Sequence, residues 1–554
     1  MSDSMTAVVT VAVLVGLLAI TYFVLGDYIY RQLTAVRDLR AERVIYKLLG
    51  VDSSAEQTWP TYLRSVLAVS FASLILLFGL LRLQHYLFLS LGMPNVSPAL
   101  AWNTAVSFVT NTNWQNYSGE TTMGYLVQMG GLAVQNFLSA AVGIAVAIAL
   151  VRGFVRSRTD RVGNFWVDLT RITMRVLLPL AFVAAIVLIA LGSIQNFTSI
   201  HTIHTLAGGT QSFLGGPVAS QEAIKQFGTN GGGFFNANTG HPYEGPSALA
   251  AFFSVYLLLA IPFALPRTFG RMVGDNKQGY AIVAAMAIIW LTLLGGAVAA
   301  ETAHGGVALQ AAGSAMEGKE VRFGVPLSAI YAVSTTVTST GAVVSSHDSM
   351  TPLGGGAAMV AMMTGEVAPG GTGSGLYGML IIAVVAVFLA GLMVGRTPEF
   401  LGKKIQAREI KLASLYILTT PTALLAAAAA SLVIPGAVKV ATNAPGPHGL
   451  SEILYAFTSM ANNNGSAFAG LGSNTAWYNI TGGLVMLIAR FLPMVFVVAL
   501  AGSLARQQPV PVGPGTFGTR GPLFVVLLIG TVVIVAALTY FPALALGPLA
   551  EALH

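Results

Sequence analysis

Residues 226–238 read QFGTNGGGFFNAN, and the tetrad Thr229-Asn230-Gly231-Gly232 inside them closes an apolar, helix-capable run. Backbone this rich in glycine and asparagine does not continue as regular helix. At membrane depth such backbone must be buried in protein or line a watery cavity. Three further stretches repeat the pattern. Residues 107–120 read SFVTNTNWQNYSGE, with Thr112-Asn113-Trp114-Gln115. Residues 334–346 read STTVTSTGAVVSS, with Thr338-Ser339-Thr340-Gly341. Residues 458–470 read TSMANNNGSAFAG, with Asn462-Asn463-Asn464-Gly465. Aligned on their last residues, the tetrads lie 117, 109 and 124 residues apart. Before each is a run able to form a short helix: 98–109, 218–227, 325–337 and 449–460. Pro98, Pro217 and Pro326 sit near three of those starts, where proline suits a helix N-terminus.

The surroundings of the tetrads are those of a membrane protein. Of 554 residues, 55% are hydrophobic and 9% charged, against about 25% charged in a soluble domain. Several water-facing domains are therefore excluded. Stretches long enough to span, about 20 apolar residues each, occur at 7–25, 61–81, 124–150, 172–192, 247–265, 280–300, 376–395, 412–434, 478–502 and 522–542. The expected fold is an all-α polytopic membrane protein with about ten transmembrane helices. Cysteine is absent, which excludes disulfides and thiolate chemistry. No basic residue precedes the first apolar run and Arg31, Arg37, Arg40 and Arg43 follow it. That run reads as an uncleaved anchor rather than a signal peptide.

Charge placement sets the expected topology. Linkers 26–64, 151–175, 266–279, 396–411 and 505–520 hold 22 of the 28 basic residues. The positive-inside rule puts all five in the cytoplasm and the N-terminus outside. Between successive linkers the chain must leave and return, and each of the four intervals has two apolar helices flanking one tetrad. The plan is a lead helix, 1–25; four units, 61–150, 172–265, 280–395 and 412–502; and a final helix, 522–542. The linkers carry a net +12 and the rest of the chain −5. A basic protein on paper is thus a polarised one, and no basic cluster suggests nucleic acid.

Four loops of this kind around one axis would present rings of oxygens to an ion. The tetrads contain no carboxylate, and neutral carbonyl and hydroxyl oxygens suit a weakly hydrated monovalent cation. Ordinary outer turns can share this composition. Four of them in register, each between the two helices of one unit, favour a pore.

The strings TNTNWQNYSGE, FGTNGGGFFNAN-x-x-HP, TSTGAV-x-x-x-HDS and ANNNGSAFAGL resemble, in order and over essentially the whole chain, the four signatures of the potassium-binding A subunit of the bacterial Kdp potassium-transporting ATPase. The resemblance implies four pseudo-fourfold membrane–pore–membrane repeats, like a potassium channel compressed into one polypeptide. It implies that all sixteen tetrad residues form a potassium selectivity filter. It further implies a bacterial inner-membrane location and passage of the ion through an intramembrane tunnel. The ion would go to a separate P-type ATPase subunit, with a small C subunit and a tiny accessory peptide completing the complex. Some members of that family carry cysteine where this chain has Thr340. A hydroxyl there keeps an oxygen-bearing site.

Several features outside the tetrads carry chemistry of their own. Between apolar segments 353–364 and 376–395, Gly365–Gly375 is dense in glycine, with Glu366, Gly370 and Gly371 the candidates for a gate. A broken helix beside a re-entrant loop makes a path switch; a simple outer loop is the alternative. Arg490 lies mid-span, where a charge is costly and defaults to a function. It would either repel cations below the filter or pair with Glu366. His201 and His204 lack a third ligand, so no transition-metal site is expected. His241-Pro242-Tyr243-Glu244 and His347-Asp348 would brace the outer vestibule. Gly371–Gly375 lacks the lysine of a phosphate loop, and no Asp-Lys-Thr-Gly occurs. The chain would bind potassium but no ATP. Of the competing functions, an autonomous channel-like potassium uptake protein driven by membrane potential or sodium needs the same four loops. An intrinsic membrane enzyme is disfavoured by the missing nucleophile, metal and phosphate motifs.

Overall fold

The computed structural model describes residues 2–303, 315–393, 395, 397–511 and 517–553. Arg396 and part of the 280–395 unit lie outside them. Among the described residues, ten helices are long and apolar enough to cross a membrane: Asp3–Leu33, Trp59–Tyr86, Val127–Val155, Phe165–Ala190, Ala248–Met272, Asn276–Thr302, Ser374–Met393, Ala407–Val433, Ala476–Arg506 and Pro522–Leu546. Each overlaps one span expected from the sequence.

Burial sorts these helices into two layers. In the most apolar window of the second helix of each unit, 83%, 72%, 67% and 61% of residues are buried, in chain order. For the first helices the figures are 28%, 39%, 44% and 28%, and for the lead and final helices 22% and 28%. The second helix of every unit is therefore the inner one. The outer helices turn Phe71, Ile75, Phe182, Val183, Val526 and Leu538 to the surroundings, each more than half exposed. Apolar area costs about 25 cal/mol per Å² in water, so a belt of such side chains belongs in lipid.

Four short helices stand between the helices of the units: Pro98–Val109, Val218–Phe227, Gly324–Val337 and Pro447–Asn462. Pro98 and Pro447 open the first and last at the first turn, and Pro217 caps the second. In the third unit the second apolar stretch is split into Pro352–Met363 and Ser374–Met393. Residues 366–373 between them are buried, which excludes the simple outer loop.

On the linker side, basic residues are tied back to the bundle. Arg152 pairs with Asp168 at 2.5 Å, and Asp168 also accepts from the buried Tyr62 hydroxyl at 2.9 Å. Arg175 pairs with Glu42, and Arg267 with Asp27 at 2.8 Å. Part of the linker charge is structural as well as topological.

Candidate functional site

The short helices end in the same way four times, and this fixes the register of the four loops. The amide of Thr112 donates to the Ser107 carbonyl, Asn230 to Lys225, Thr340 to Thr335 and Asn464 to Ser459, each spanning five residues at 2.9–3.1 Å. Thr112, Asn230, Thr340 and Asn464 are thus equivalent. One residue earlier, Asn111, Thr229, Ser339 and Asn463 all have φ between 46° and 67°; one residue later, Asn113, Gly231, Gly341 and Gly465 have φ between 55° and 98°. Left-handed residues on either side of one that is not left-handed let successive carbonyls point the same way, a conformation glycine adopts freely and asparagine tolerates.

Neighbouring loops meet through backbone at the last of these positions. A Cβ on Gly231 would lie 1.5 Å from the Thr340 carbonyl oxygen. On Gly341 it would lie 2.2 Å from that of Asn464, and on Gly465 2.0 Å from that of Thr112. The fourth junction, between the first and second loops, is closed by side chains. Asn111 Nδ2 donates to the Thr229 carbonyl at 2.7 Å, and Asn230 Nδ2 donates to Asn111 Oδ1 at 2.6 Å. The four loops form a closed ring.

Two tiers of that ring are unsatisfied. Among the described residues, no donor reaches the backbone carbonyls of Thr112, Asn230, Thr340 and Asn464. None reaches those of Asn113, Gly231, Gly341 and Gly465 either. All eight residues are buried except Gly465, which is half-buried. Buried carbonyls are almost always paired, so eight orphans in two rings of four call for a cation.

The structure also places the residues expected from sequence. Thr112, Asn113, Asn230, Gly231, Thr340, Gly341, Asn464 and Gly465 form the two tiers, and Thr229, Ser339 and Asn463 directly precede them. Thr338 and Asn462 lie at the ends of their short helices, level with Thr110 and Gly228. Trp114, Gln115 and Gly232 flank the ring with their polar groups engaged. The Trp114 carbonyl accepts from Ser107 Oγ at 2.9 Å, Gln115 pairs both ways with the Gly233 backbone at 3.0 Å, and the Gly232 carbonyl accepts from Lys225 Nζ at 2.9 Å. Thr110, Asn111 and Gly228 join the site although they stand outside the tetrads. A sequence signal for the first of them exists: Thr110-x-Thr112 repeats Thr338-x-Thr340, and the paired hydroxyls lie 2.8 and 2.7 Å apart.

Charge is kept out of the ring and paired just behind it. Lys225 contacts Glu222 at 2.5 Å and Glu244 at 2.8 Å, all three essentially unexposed. Gln226, Thr239 and Ser254 donate to Glu222, and the Phe235 amide donates to Glu244. This cluster holds the second loop from behind. Lys319 pairs with buried Glu301 at 2.8 Å. A mouth of about 460 Å³, lined by Gln115, Asn116, Gly232, Gly341, His347 and Gly465 among others, opens above the ring. Burial first, and Lys319 second, push His347 down to about 4, so at neutral pH it adds no positive charge to the mouth. Burial and Arg322 do the same to His241, also to about 4.

Below the ring, the interrupted segment binds the feet of two loops and the helix end leading to a third. Thr372 Oγ1 donates to the Gly228 carbonyl at 3.0 Å, and its amide donates to Thr229 Oγ1 at 2.9 Å. The Gly370 amide donates to the Val337 carbonyl at 2.9 Å, and Glu366 Oε1 accepts from Asn464 Nδ2 at 2.8 Å. Gly371 packs against Ser339, where a Cβ would lie 3.1 Å from the serine Cβ. Arg490 is 5% exposed and makes no hydrogen bond or ion pair with any described residue. It does not pair with Glu366, so that alternative is set aside.

The family model described as the potassium-transporting ATPase A subunit matches residues 12–553. The chain belongs to this family. A relative from Clavibacter michiganensis is 60% identical over 555 residues and one from Streptomyces avermitilis 59% over 553; both pairs are covered end to end, and both relatives are named potassium-transporting ATPase potassium-binding subunit. The crystal structure of the potassium transporter TrkH from Vibrio parahaemolyticus superposes at a TM-score of 0.48 with 13% identity, over 74% of this chain and 80% of that one. Membership of the A-subunit family accords with the ten apolar helices and makes the chain a multi-pass membrane protein.

Proposed function

We propose that this chain is the potassium-selective subunit of an ATP-driven importer. Its ring binds external potassium, and the ion then leaves sideways through an intramembrane tunnel to a partner P-type ATPase subunit. The observation that carries the reading is the pair of four-carbonyl tiers with no protein donor. Eight neutral backbone oxygens replace the hydration shell of a monovalent cation and offer no carboxylate to hold a divalent one. The sixteen tetrad residues serve this filter in four ways: those of the two tiers line it, Ser339, Thr229 and Asn463 shape it, Trp114, Gln115 and Gly232 hold its rim, and Thr338 and Asn462 close the short helices that lead to it. Glu366, Gly370, Gly371 and Arg490 form the barrier below. An unpaired guanidinium repels a cation descending toward the linker side, and the interrupted segment turns it aside.

The basic linkers face the cytoplasm of a bacterial cell and the N-terminus lies outside. The chain carries no nucleotide site of its own. A small C subunit and a tiny peptide complete the assembly. Affinity purification from membranes tests this. Co-purification of an ATPase whose hydrolysis is stimulated by potassium supports the reading. Potassium flux through the isolated chain in liposomes, without any ATPase, would instead make it an autonomous uptake channel.

A further inference from the structure

Away from the ring, four side chains distant in sequence meet beside the mouth. Asp348 follows His347 in the short turn after the third tetrad. His448 and Glu452 stand on the first turns of the fourth short helix. Glu551 comes from the last helix, Pro548–Leu553. The His448 Nε2 lies 3.2 Å from Asp348 Oδ1, and its Nδ1 lies 2.8 Å from Glu551 Oε1. One ligand atom each from Asp348, His448 and Glu452 lie within 4.8 Å of one another.

The third carboxylate is the telling one. Glu452 has no exposed surface. Its Oε1 accepts from Asn443 at 2.8 Å, and its Oε2 is enclosed with no partner. Glycine at 470 keeps the space between the carboxylates open: a Cβ there would lie 2.1 Å from Glu452 Oε1 and 2.7 Å from Asp348 Oδ2. A buried carboxylate oxygen without a partner is costly, and the carboxylate that carries it has one oxygen within 4.8 Å of ligand atoms of an imidazole and a second carboxylate.

We propose that Asp348, His448 and Glu452 bind a divalent transition-metal ion of the Zn²⁺ type, with Glu551 holding the far side of the histidine ring and setting its orientation. Nitrogen and carboxylate oxygen suit zinc, and its tetrahedral ligands sit about 3.3 Å apart for bonds of about 2.0–2.1 Å. The His448–Asp348 separation already has that value. A histidine ligand ordinarily gives its other ring N–H to a carboxylate, which is the place Glu551 takes. Sequence spacing does not reveal this trio, because Asp348 lies 100 positions before His448 and the three ligands come from two separate inserts.

The rival is a proton. Asp348 first, and then Glu551, push His448 up to about 9, and an imidazolium would bridge those two carboxylates unaided. It would still leave Glu452 Oε2 unpartnered and set three carboxylates against one positive charge. A divalent ion answers both.

The test uses the full chain in its purified complex, stripped with chelator and titrated with Zn²⁺ against a chromophoric chelator. One Zn²⁺ per chain is expected. Glu452→Gln and His448→Gln should each abolish it, and Glu551→Gln should weaken it about 10- to 100-fold. Unfolding midpoints without metal establish that each variant is folded, and Zn²⁺ should raise the midpoint of the parent but not of Glu452→Gln or His448→Gln. Zinc uptake no greater than in a folded Glu452→Gln variant overturns the proposal and leaves the imidazolium bridge. Equal competition by Ca²⁺ or Mg²⁺ overturns it too, since a histidine-containing site should reject them.

Discussion

Three of the four junctions in the ring are made by glycine, and one is not. Gly231, Gly341 and Gly465 each let a neighbouring carbonyl approach to where a Cβ would sit. At the equivalent position of the first loop stands Asn113, in the same left-handed region at φ 55°. Its side chain turns away to Asn136 at 2.7 Å. That junction is stitched instead by Asn111 and Asn230, with Ser139 donating to Asn111 Oδ1 at 2.7 Å. The contrast separates two ways of holding carbonyls in place. Glycine does it by removing bulk, and asparagine by adding hydrogen bonds. A ring of four similar but unequal loops thereby has one corner that depends on side chains, and the second loop, which shares that corner, is also held from behind by the Glu222–Lys225–Glu244 cluster.

The largest effect should follow from adding a methyl group at a glycine junction. Gly231→Ala must displace the Thr340 carbonyl as well as hold an L-residue at φ 82°. Left-handed strain alone costs about 1–2 kcal/mol. With the displaced oxygen added, potassium-stimulated ATP hydrolysis of the complex should need at least about 100-fold more potassium, some 2.7 kcal/mol. Gly530→Ala, with open space around it, should leave that titration unchanged. Equal behaviour of the two variants would remove the special role given to the glycine junctions.

Next in size are the support behind the second loop and the asparagine corner itself. Lys225→Met leaves Glu222 and Glu244 buried without their cation, which should destabilise the fold by about 3–5 kcal/mol, read from unfolding midpoints in detergent. Asn111→Ala removes the bond to the Thr229 carbonyl and one of the two acceptors of Asn230 Nδ2, leaving it Ser139 Oγ at 3.1 Å, for about 1–3 kcal/mol. Its mark should be weaker potassium affinity with little change in assembly. The smallest effect belongs to Asn113→Gly. It makes the fourth junction resemble the other three and keeps the orphaned carbonyl, so affinity should move less than about tenfold, or 1.4 kcal/mol. A large loss there would mean that the Asn113–Asn136 bond, rather than backbone, sets this corner.

The spans and short helices are legible in the sequence because apolar length and N-terminal proline are local signals. Register is not. Aligning the tetrads on their last residue matches Gln115 with Gly232, whereas the five-residue hydrogen bonds match Thr112 with Asn230. Two things hide this: Asn113 replaces the glycine that marks the junction elsewhere, and the run Gly231–Gly233 offers three glycines where one is needed. The partners of charged residues are equally hidden. Lys225 reads in sequence as a basic residue outside the linkers. Only folding brings it to Glu244 and the Gly232 carbonyl. Glu366 reads as a partner for Arg490, yet meets Asn464, almost a hundred positions away.

That two tiers of backbone carbonyls hold the ion is tested most directly by a structure of the assembled complex in Tl⁺ or Rb⁺, where the heavy ion is located by its own scattering. Density is expected on the ring axis between the carbonyls of Thr112, Asn230, Thr340 and Asn464 and those of Asn113, Gly231, Gly341 and Gly465. Density confined to the mouth or to the neighbourhood of Glu366, with the ring empty at saturating ion, would contradict it.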